Sequence, residues 1–418
     1  MQQTQNRRPP TRSSLFYGYI IVAASALILV VMHGISSSFG IFFNPLQEEF
    51  GWNRATISGA TSISFFILGL FSIITGRLTD RFGPRLTLSL SAVIMAGGYL
   101  LMSTLHTVWQ LYLFYGLIIS MANSGGDMAL LPTVARWFAK RRSLMSSIVK
   151  AGTGTGMFIM PLLSAWLIVS YNWRTAYLVL AILAFVVILG LSRFIKRDPQ
   201  ELGLKPYGEV EATAANHDIP AINLSLTEVL RTSQFWILCG TYFLIWYVSQ
   251  STMIHTAPHA VDIGLSVSQA AGVVSTIGGV SILGRLTMGT AGDRIGTRKT
   301  LVICLLIMLT AQIWLQFANQ TWMLYIFAPV YGFAHGGVFA IISPLLADLF
   351  GLKSHGSNLG VLFFLGMIGG AIGPIVTGRL YDVMDTYRTA FIIMLVCMIT
   401  AFIMAFFLRP VRQSIHGK

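Results

Sequence analysis

The sequence is short of charge. Only 10% of its 418 residues are Asp, Glu, Lys or Arg, against about 25% in a soluble domain. A surface so poor in charge would not keep a folded chain in water, which excludes an ordinary cytosolic enzyme. Cysteine is scarce as well. Cys239, Cys304 and Cys397 all lie inside apolar runs and have no metal-ligand spacing, so a disulfide scaffold and a thiolate metal site are excluded. The chain has no His-Glu-x-x-His, nucleophile elbow or nucleotide motif. Its glycine run Gly152-Thr153-Gly154-Thr155-Gly156 lacks the strand–turn–helix setting of a phosphate loop. No catalytic residue, cofactor or metal is expected, and an ATP-driven pump is excluded. Acid is the scarcest charge, with 15 Asp and Glu against 28 Lys and Arg, a formal +13. That excess would suit a nucleic-acid binder, but the positions of the charges point elsewhere.

Apolar residue is abundant: 55% of the chain, with a mean hydropathy of +0.71. It falls into twelve segments, near 17–41, 53–76, 86–104, 109–135, 143–170, 175–193, 235–257, 267–289, 300–318, 321–347, 357–378 and 389–408. Each suits one helical crossing of a bilayer, which takes about 20 residues. The first follows a basic stretch (Arg7, Arg8, Arg12) and lacks a small-residue cleavage site, so it reads as a first span and not as a removable signal. An even number of crossings leaves both termini on one side. That side carries 22 of the Lys and Arg residues; the other carries only Arg54, Arg174, Arg379 and Arg388. By the positive-inside rule both termini are cytoplasmic, in a multi-pass protein of the cell (inner) membrane. The basic balance is thus a topology signal, the partner is the lipid bilayer, and no nucleic acid is expected.

The spans repeat. Gly76-Arg77-Leu78-Thr79-Asp80-Arg81-Phe82-Gly83-Pro84-Arg85 returns as Gly289-Thr290-Ala291-Gly292-Asp293-Arg294-Ile295-Gly296-Thr297-Arg298, an offset of 293 − 80 = 213. The same offset relates Gly51 to Gly264, Gly156 to Gly369 and Pro161 to Pro374. Six spans is an even number, so both copies enter from the same side, a parallel repeat. The expected organisation is a six-helix bundle over 1–195, a cytoplasmic linker over 196–232 and a second six-helix bundle over 233–418. The fold class is therefore an all-α membrane protein of 12 transmembrane helices in two six-helix pseudo-repeats, and two such halves suit alternating access. Within the repeated loops Gly76, Gly83, Gly289 and Gly296 permit tight turns and close helix approach. Asp80 and Asp293 can accept hydrogen bonds from a neighbouring helix N-terminus. Arg81 and Arg294 can bridge to acids on the adjacent bundle. A latch of this kind can break and reform, so these eight residues are the gating candidates.

This pair of loops and the six-plus-six repeat resemble the major facilitator superfamily along essentially the whole chain. Two narrower likenesses accompany it. The run Arg136-Trp137-Phe138-Ala139-Lys140-Arg141-Arg142-Ser143-Leu144 is similar to the span-5 signature of monocarboxylate transporters. Leu230-Arg231-Thr232-Ser233-Gln234-Phe235-Trp236 is similar to the entry of span 7 in the oxalate/formate antiporter branch.

Three ionisable residues lie inside spans, where each is costly and so a functional candidate. At ~1.5 Å per helical residue, Asp127 lies roughly 14 Å from the nearer surface, and Lys150 and Arg285 about 12 Å. All three therefore come near the midplane, where transporters bind substrate between repeats. Arg285 can hold a carboxylate through two parallel charge-assisted hydrogen bonds, and the resemblance implies an anion-binding arginine at this place in span 8. Lys150 is a departure from the similar families. It can add a second anion contact or lock onto Asp127, and Asp127 can neutralise Lys150 or carry the proton. His255 near the outer mouth of span 7, with Asp262 seven residues on, is a further coupling candidate, because histidine titrates near neutral pH. The resemblance places a pathway-facing histidine there. Tyr331 and His335 share a face of span 10 and can donate hydrogen bonds to a carboxylate; His33 in span 1 has the weakest case. Two cations of the similar families are missing: a span-1 lysine, where Ser37 stands, and a span-11 lysine, which falls near Gly366. An acid one turn before the span-8 arginine is replaced by Ser281.

The expected function is secondary active transport of small organic anions, foremost monocarboxylates, by a monomer and with protons or a counter-anion as the coupled partner. The alternatives are an exporter of amphipathic compounds and a transporter-like carboxylate sensor.

Overall fold

The computed structural model describes residues 16–52, 54–209 and 224–409. The middle of the expected linker, with Glu211 and Asp218, and the terminal basic residues Arg7, Arg8, Arg12, Arg412 and Lys418 lie outside them. The described chain is helical, with one isolated β-bridge between Phe138 and Tyr207. The long helices are α1 (Tyr17–Ser37), α2 (Arg54–Phe82), α3 (Pro84–Ser103), α4 (Ser120–Trp137), α5 (Arg142–Ser170), α6 (Trp173–Ser192), α7 (Ser233–Asp262), α8 (Val267–Ile295), α9 (Thr297–Leu315), α10 (Thr321–Phe350), α11 (His355–Met384) and α12 (Arg388–Phe407). Among the described residues, eleven helices are long and apolar enough to cross a membrane. The remaining long helix is α4, which continues Val108–Leu111 and a π-helical stretch, Tyr112–Ile119, and so completes twelve crossings. It carries Asn123, Ser124 and Asp127, and its residues are almost all buried, so neighbouring helices and not lipid receive its polar groups.

Burial explains which helices lie outside. On α12, Ile392, Val396, Ile399, Ile403 and Phe406 are exposed at alternating steps of four and three residues, and α3 shows Leu86, Leu90 and Val93 in the same way. An apolar stripe at helical spacing faces lipid, while the opposite face packs inward. The helices pair in the same manner in each half: α1 with α5 as α7 with α11, α2 with α4 as α8 with α10, and α3 with α6 as α9 with α12. The halves meet where α2 packs along α11 and α5 along α8. The offset of 213 persists in the contacts. Gly156 lies on the backbone at Val30, and Gly369 lies on the backbone at Phe243 (243 − 30 = 213).

At one end of the molecule the repeated loops seal the halves reciprocally. Asp80 accepts from the backbone N–H groups of Gly356 (3.1 Å) and Ser357 (2.7 Å), which open α11. Asp293 accepts from those of Ser143 (2.8 Å) and Leu144 (2.9 Å), which open α5. The receiving residues are themselves 356 − 143 = 213 apart. Each carboxylate sits at the positive end of a helix in the other half. Gly76 lies against the Gly356 backbone and Gly289 against Ser147, so both glycines let the halves close. Gly83 (φ 88°) and Gly296 (φ 93°) make the turns into α3 and α9 in a conformation that side chains resist.

The loop arginines do not bridge as expected. Arg81 and Arg294 are exposed, and Arg81 lies over the ring of Phe82. The cross-half cations come instead from the α4–α5 connection. Arg142 pairs with Asp348 of α10 at 3.1 Å, and Arg136 reaches both Asp80 (3.5 Å) and the carbonyl of Leu352 (3.3 Å). The reason is geometric: each carboxylate already faces two N–H donors across the interface, and the following arginine lies on the outer side of its turn.

Asp293→Ala removes the acceptor of two charge-assisted bonds, worth about 1.5–3 kcal/mol each. A single cysteine at Ser147, with the three native thiols replaced, should label about fivefold faster or more in Asp293→Ala, the shift that ~1 kcal/mol produces. Equal labelling rates would show that the carboxylate does not hold this end closed.

Candidate functional site

Three elements deliver charge to the middle of the molecule: α4 brings Asp127, α5 Lys150 and α8 Arg285, each less than a tenth exposed. The Lys150 ammonium donates to both Asp127 oxygens at 3.0 Å. His33 Nε2 of α1 stands 3.4 Å from Asp127 Oδ2, close enough for an ionic contact but without hydrogen-bond geometry. Desolvation of two such ions costs several kcal/mol per ion, offset only by close pairing, so the pair needs this geometry to exist.

Arg285 is held across the interface between halves. Its Nη1 donates to the backbone carbonyl of Lys150 at 2.8 Å. Gly154, one turn on, makes the approach possible, since a Cβ there would stand 3.1 Å from the same nitrogen. Arg285 Nε is buried without a hydrogen-bond partner, and the Asp127 charge bears on the guanidinium. The site therefore holds an acid neutralised by its neighbour, and a cation that is held by a neutral carbonyl with its Nε edge left without an acceptor.

The other expected residues separate into two groups. His335 lies beside this site, within the electrostatic reach of Arg285 and with Nδ1 unpartnered. Tyr331 is one turn away, fully buried and stacked between Phe327 and His335. His255 and Asp262 are elsewhere. Tyr242, which feels the Asp127 charge, precedes His255 by 13 residues of α7, about 20 Å along a helix axis. There His255 Nε2 faces the carbonyl of Pro374 at 3.0 Å and Nδ1 the Tyr387 hydroxyl at 3.3 Å. A carbonyl only accepts, so Nε2 carries the proton and Nδ1 accepts from Tyr387. Asp262 interacts with Tyr381 and His259, not with His255.

Sequence reasoning gave too little weight to His33, a lone histidine with no spacing to mark it. It missed Asn123, one turn before Asp127 with Oδ1 buried and unpartnered, and Trp246, whose Nε1 is in the same condition. The offset of 213 would have singled out Trp246, because it carries His33 to that position (246 − 33).

Two repeated bundles, sealed at one end and enclosing paired charges at mid-depth, define a membrane transporter and not an enzyme. The family model described as Major Facilitator Superfamily matches residues 25–290 and 257–417, and the chain belongs to that superfamily. Among curated proteins it is 27% identical to monocarboxylate transporter 13 of Rattus norvegicus, over 90% of this chain and 85% of that one. It is 24% identical to monocarboxylate transporter 12 of Homo sapiens, over 95% and 81%. It is 25% identical to the agnestins efflux protein AgnL12 of Paecilomyces divaricatus, over 89% and 83%. Among solved structures it resembles the E. coli fucose:proton symporter with a TM-score of 0.70 at 17% identity, covering 95% of this chain and 100% of that one. A second structure of that transporter, in the outward conformation, also gives 0.70.

Lys150→Met leaves the Asp127 charge buried without its main partner, and should cost about 3–5 kcal/mol. The double variant Asp127→Asn/Lys150→Met removes both charges and should regain most of the loss. Thermal unfolding in detergent reads both. A single variant as stable as the wild type would show that the pair is not holding the bundle.

Proposed function

We propose that this transporter carries small organic anions, monocarboxylates foremost, by alternating access, and that Arg285 is the anion-binding residue. The observation that carries the reading is the unsatisfied guanidinium. Arg285 is buried on the line between the halves, gives one nitrogen to a backbone carbonyl and keeps Nε free. An incoming carboxylate takes Nε and the neighbouring Nη2 through two parallel charge-assisted bonds, while Nη1 on the other edge keeps the Lys150 carbonyl. The anion and the contact between the halves then share one guanidinium, so binding and gating act on one group. The relatives named as monocarboxylate transporters support the choice of cargo.

Asp127 couples the proton. Protonating it ends its hold on Lys150 and leaves a second ammonium free for the anion, and His33 at 3.4 Å stands ready to pass the proton. Exchange against a counter-anion uses Arg285 without the proton step, Lys150 staying on Asp127. His255 and Asp262, at the far end, would form a separate outer station. In this scheme the bundles 1–195 and 233–418 move about the 196–232 linker, and the Asp80 and Asp293 contacts are the gate. The sealed end and both termini face the cytoplasm of a cell membrane, as the asymmetry of Lys and Arg favours. The working unit is a monomer. A second reading, export of a larger amphipathic compound, is favoured by the likeness to an efflux protein.

Uptake of labelled lactate and pyruvate into proteoliposomes tests the reading. Arg285→Ala should lower uptake at least about thirtyfold, the loss of ~2 kcal/mol expected when one partner of a charged hydrogen-bonded pair is removed. Undiminished uptake, or uptake of amphipathic compounds alone, would overturn it. Asp127→Asn should make uptake insensitive to a pH gradient while exchange of labelled for unlabelled substrate persists. Unchanged pH dependence would remove Asp127 from the coupling step.

A further inference from the structure

The repeat gives the site two unlike walls. The offset of 213 carries His33 to Trp246, Asp127 to Ala340 and Lys150 to Phe363. In the first half these positions hold the charged group described above. In the second, the rings of Trp246 and Phe363 meet at 6.0 Å between centroids. Phe339 closes on Trp246 at 4.9 Å, and Tyr242 packs on both Phe339 and Phe363 at 6.1 Å. What is a wall of ions on one side of the pseudo-symmetry axis is a wall of rings on the other.

Four features make this more than core packing. Trp246, Phe339 and Phe363 are only half-buried, although they stand on inward faces of α7, α10 and α11. Trp246 Nε1 is a buried donor that has the Tyr242 hydroxyl nearby but makes no well-aligned hydrogen bond to it. Gly366 leaves the space the indole occupies: a Cβ there would stand 2.5 Å from the Trp246 ring and 2.8 Å from Tyr242. The wall also reaches the cation. His335 packs on Phe339 at 4.8 Å and lies within the field of Arg285.

We infer that the anion held by Arg285 carries an aromatic ring: the ligand class is an arylalkyl monocarboxylate with an oxygen on the ring. This rests on the assignment of Arg285 to the carboxylate. The carboxylate lies between Arg285 and Lys150, the ring stacks or meets edge-on with Trp246, Phe339 and Phe363, and the ring oxygen accepts from Trp246 Nε1. Aromatic pairs take such geometries at centroid separations of about 4.5–7 Å. A two- or three-carbon acid would satisfy the guanidinium and leave the rings and the indole N–H unused.

The test uses the full-length protein, with thermal stabilisation and inhibition of uptake by acetate, lactate, phenylacetate, hydroxyphenylacetate and benzyl alcohol. The two aryl acids should act at concentrations about tenfold or more below acetate and lactate, with hydroxyphenylacetate the stronger. Trp246→Leu and, as an independent variant, Phe339→Leu should each abolish that preference, bringing the ratio of aryl-acid to lactate potency to about one. If aryl acids act no better than lactate while both still require Arg285, the ring inference is overturned and the anion site stands. If neither class depends on Arg285, the anion reading falls and this inference with it. Benzyl alcohol matching phenylacetate, in wild type and Arg285→Ala alike, would also overturn it.

Discussion

A charge cannot remain alone in the middle of a bilayer, and this constraint orders the rest of the molecule. Asp127, Lys150 and Arg285 reach mid-depth on three helices, and each must find its counterpart there. The Asp127–Lys150 pair ties α4 to α5 within one half. The Arg285 bond to the Lys150 carbonyl then ties α8 to the same turn of α5 from the other half. The polar α4 is tolerable because its neighbours enclose it, and the outer helices can be apolar because they carry none of this burden. The site and the packing of the inner helices are one problem with one solution.

The sealed end solves a related problem by symmetry. A helix N-terminus leaves N–H groups unsatisfied, and here each half caps a helix of the other with a carboxylate. Because Asp80 serves α11 and Asp293 serves α5, neither seal forms without the opposite half being in place. Arg142 and Asp348 add an ion pair across the same seam. The closed end is thus held by groups that water can satisfy once the seam opens, which keeps the seal reversible.

Much of this was legible in the chain. The offset of 213 announced the two halves, the pairing of the loops and the helix-terminal role of Asp80 and Asp293. Counting residues from the nearest surface charges put Asp127, Lys150 and Arg285 at one depth. Depth along a helix says nothing of the direction a side chain faces, so the same count could not tell that Lys150 turns to Asp127 while offering its carbonyl to Arg285. The apolar segments gave all twelve crossings, the fourth because its entry over 108–119 supplies the apolar length that the polar α4 lacks. Arg81 and Arg294 misled because a motif repeats its residues without stating which side of the turn each one occupies. The cations that meet the other half at the closed end came from the Arg136–Arg142 segment, which the sequence had offered only as a family likeness.

The balance of buried charge has an electrical consequence. With His33 neutral, Lys150, Asp127 and Arg285 leave the empty site with one net positive charge, and a monoanion that enters with a proton on Asp127 leaves that charge unchanged. A unit charge crossing the membrane field exchanges about 2.3 kcal/mol per 100 mV. In the proposed proton-coupled scheme the empty and loaded sites would therefore feel the transmembrane voltage alike when access changes sides. What voltage adds to one stroke it would take from the other, leaving net movement to the gradients of cargo and proton.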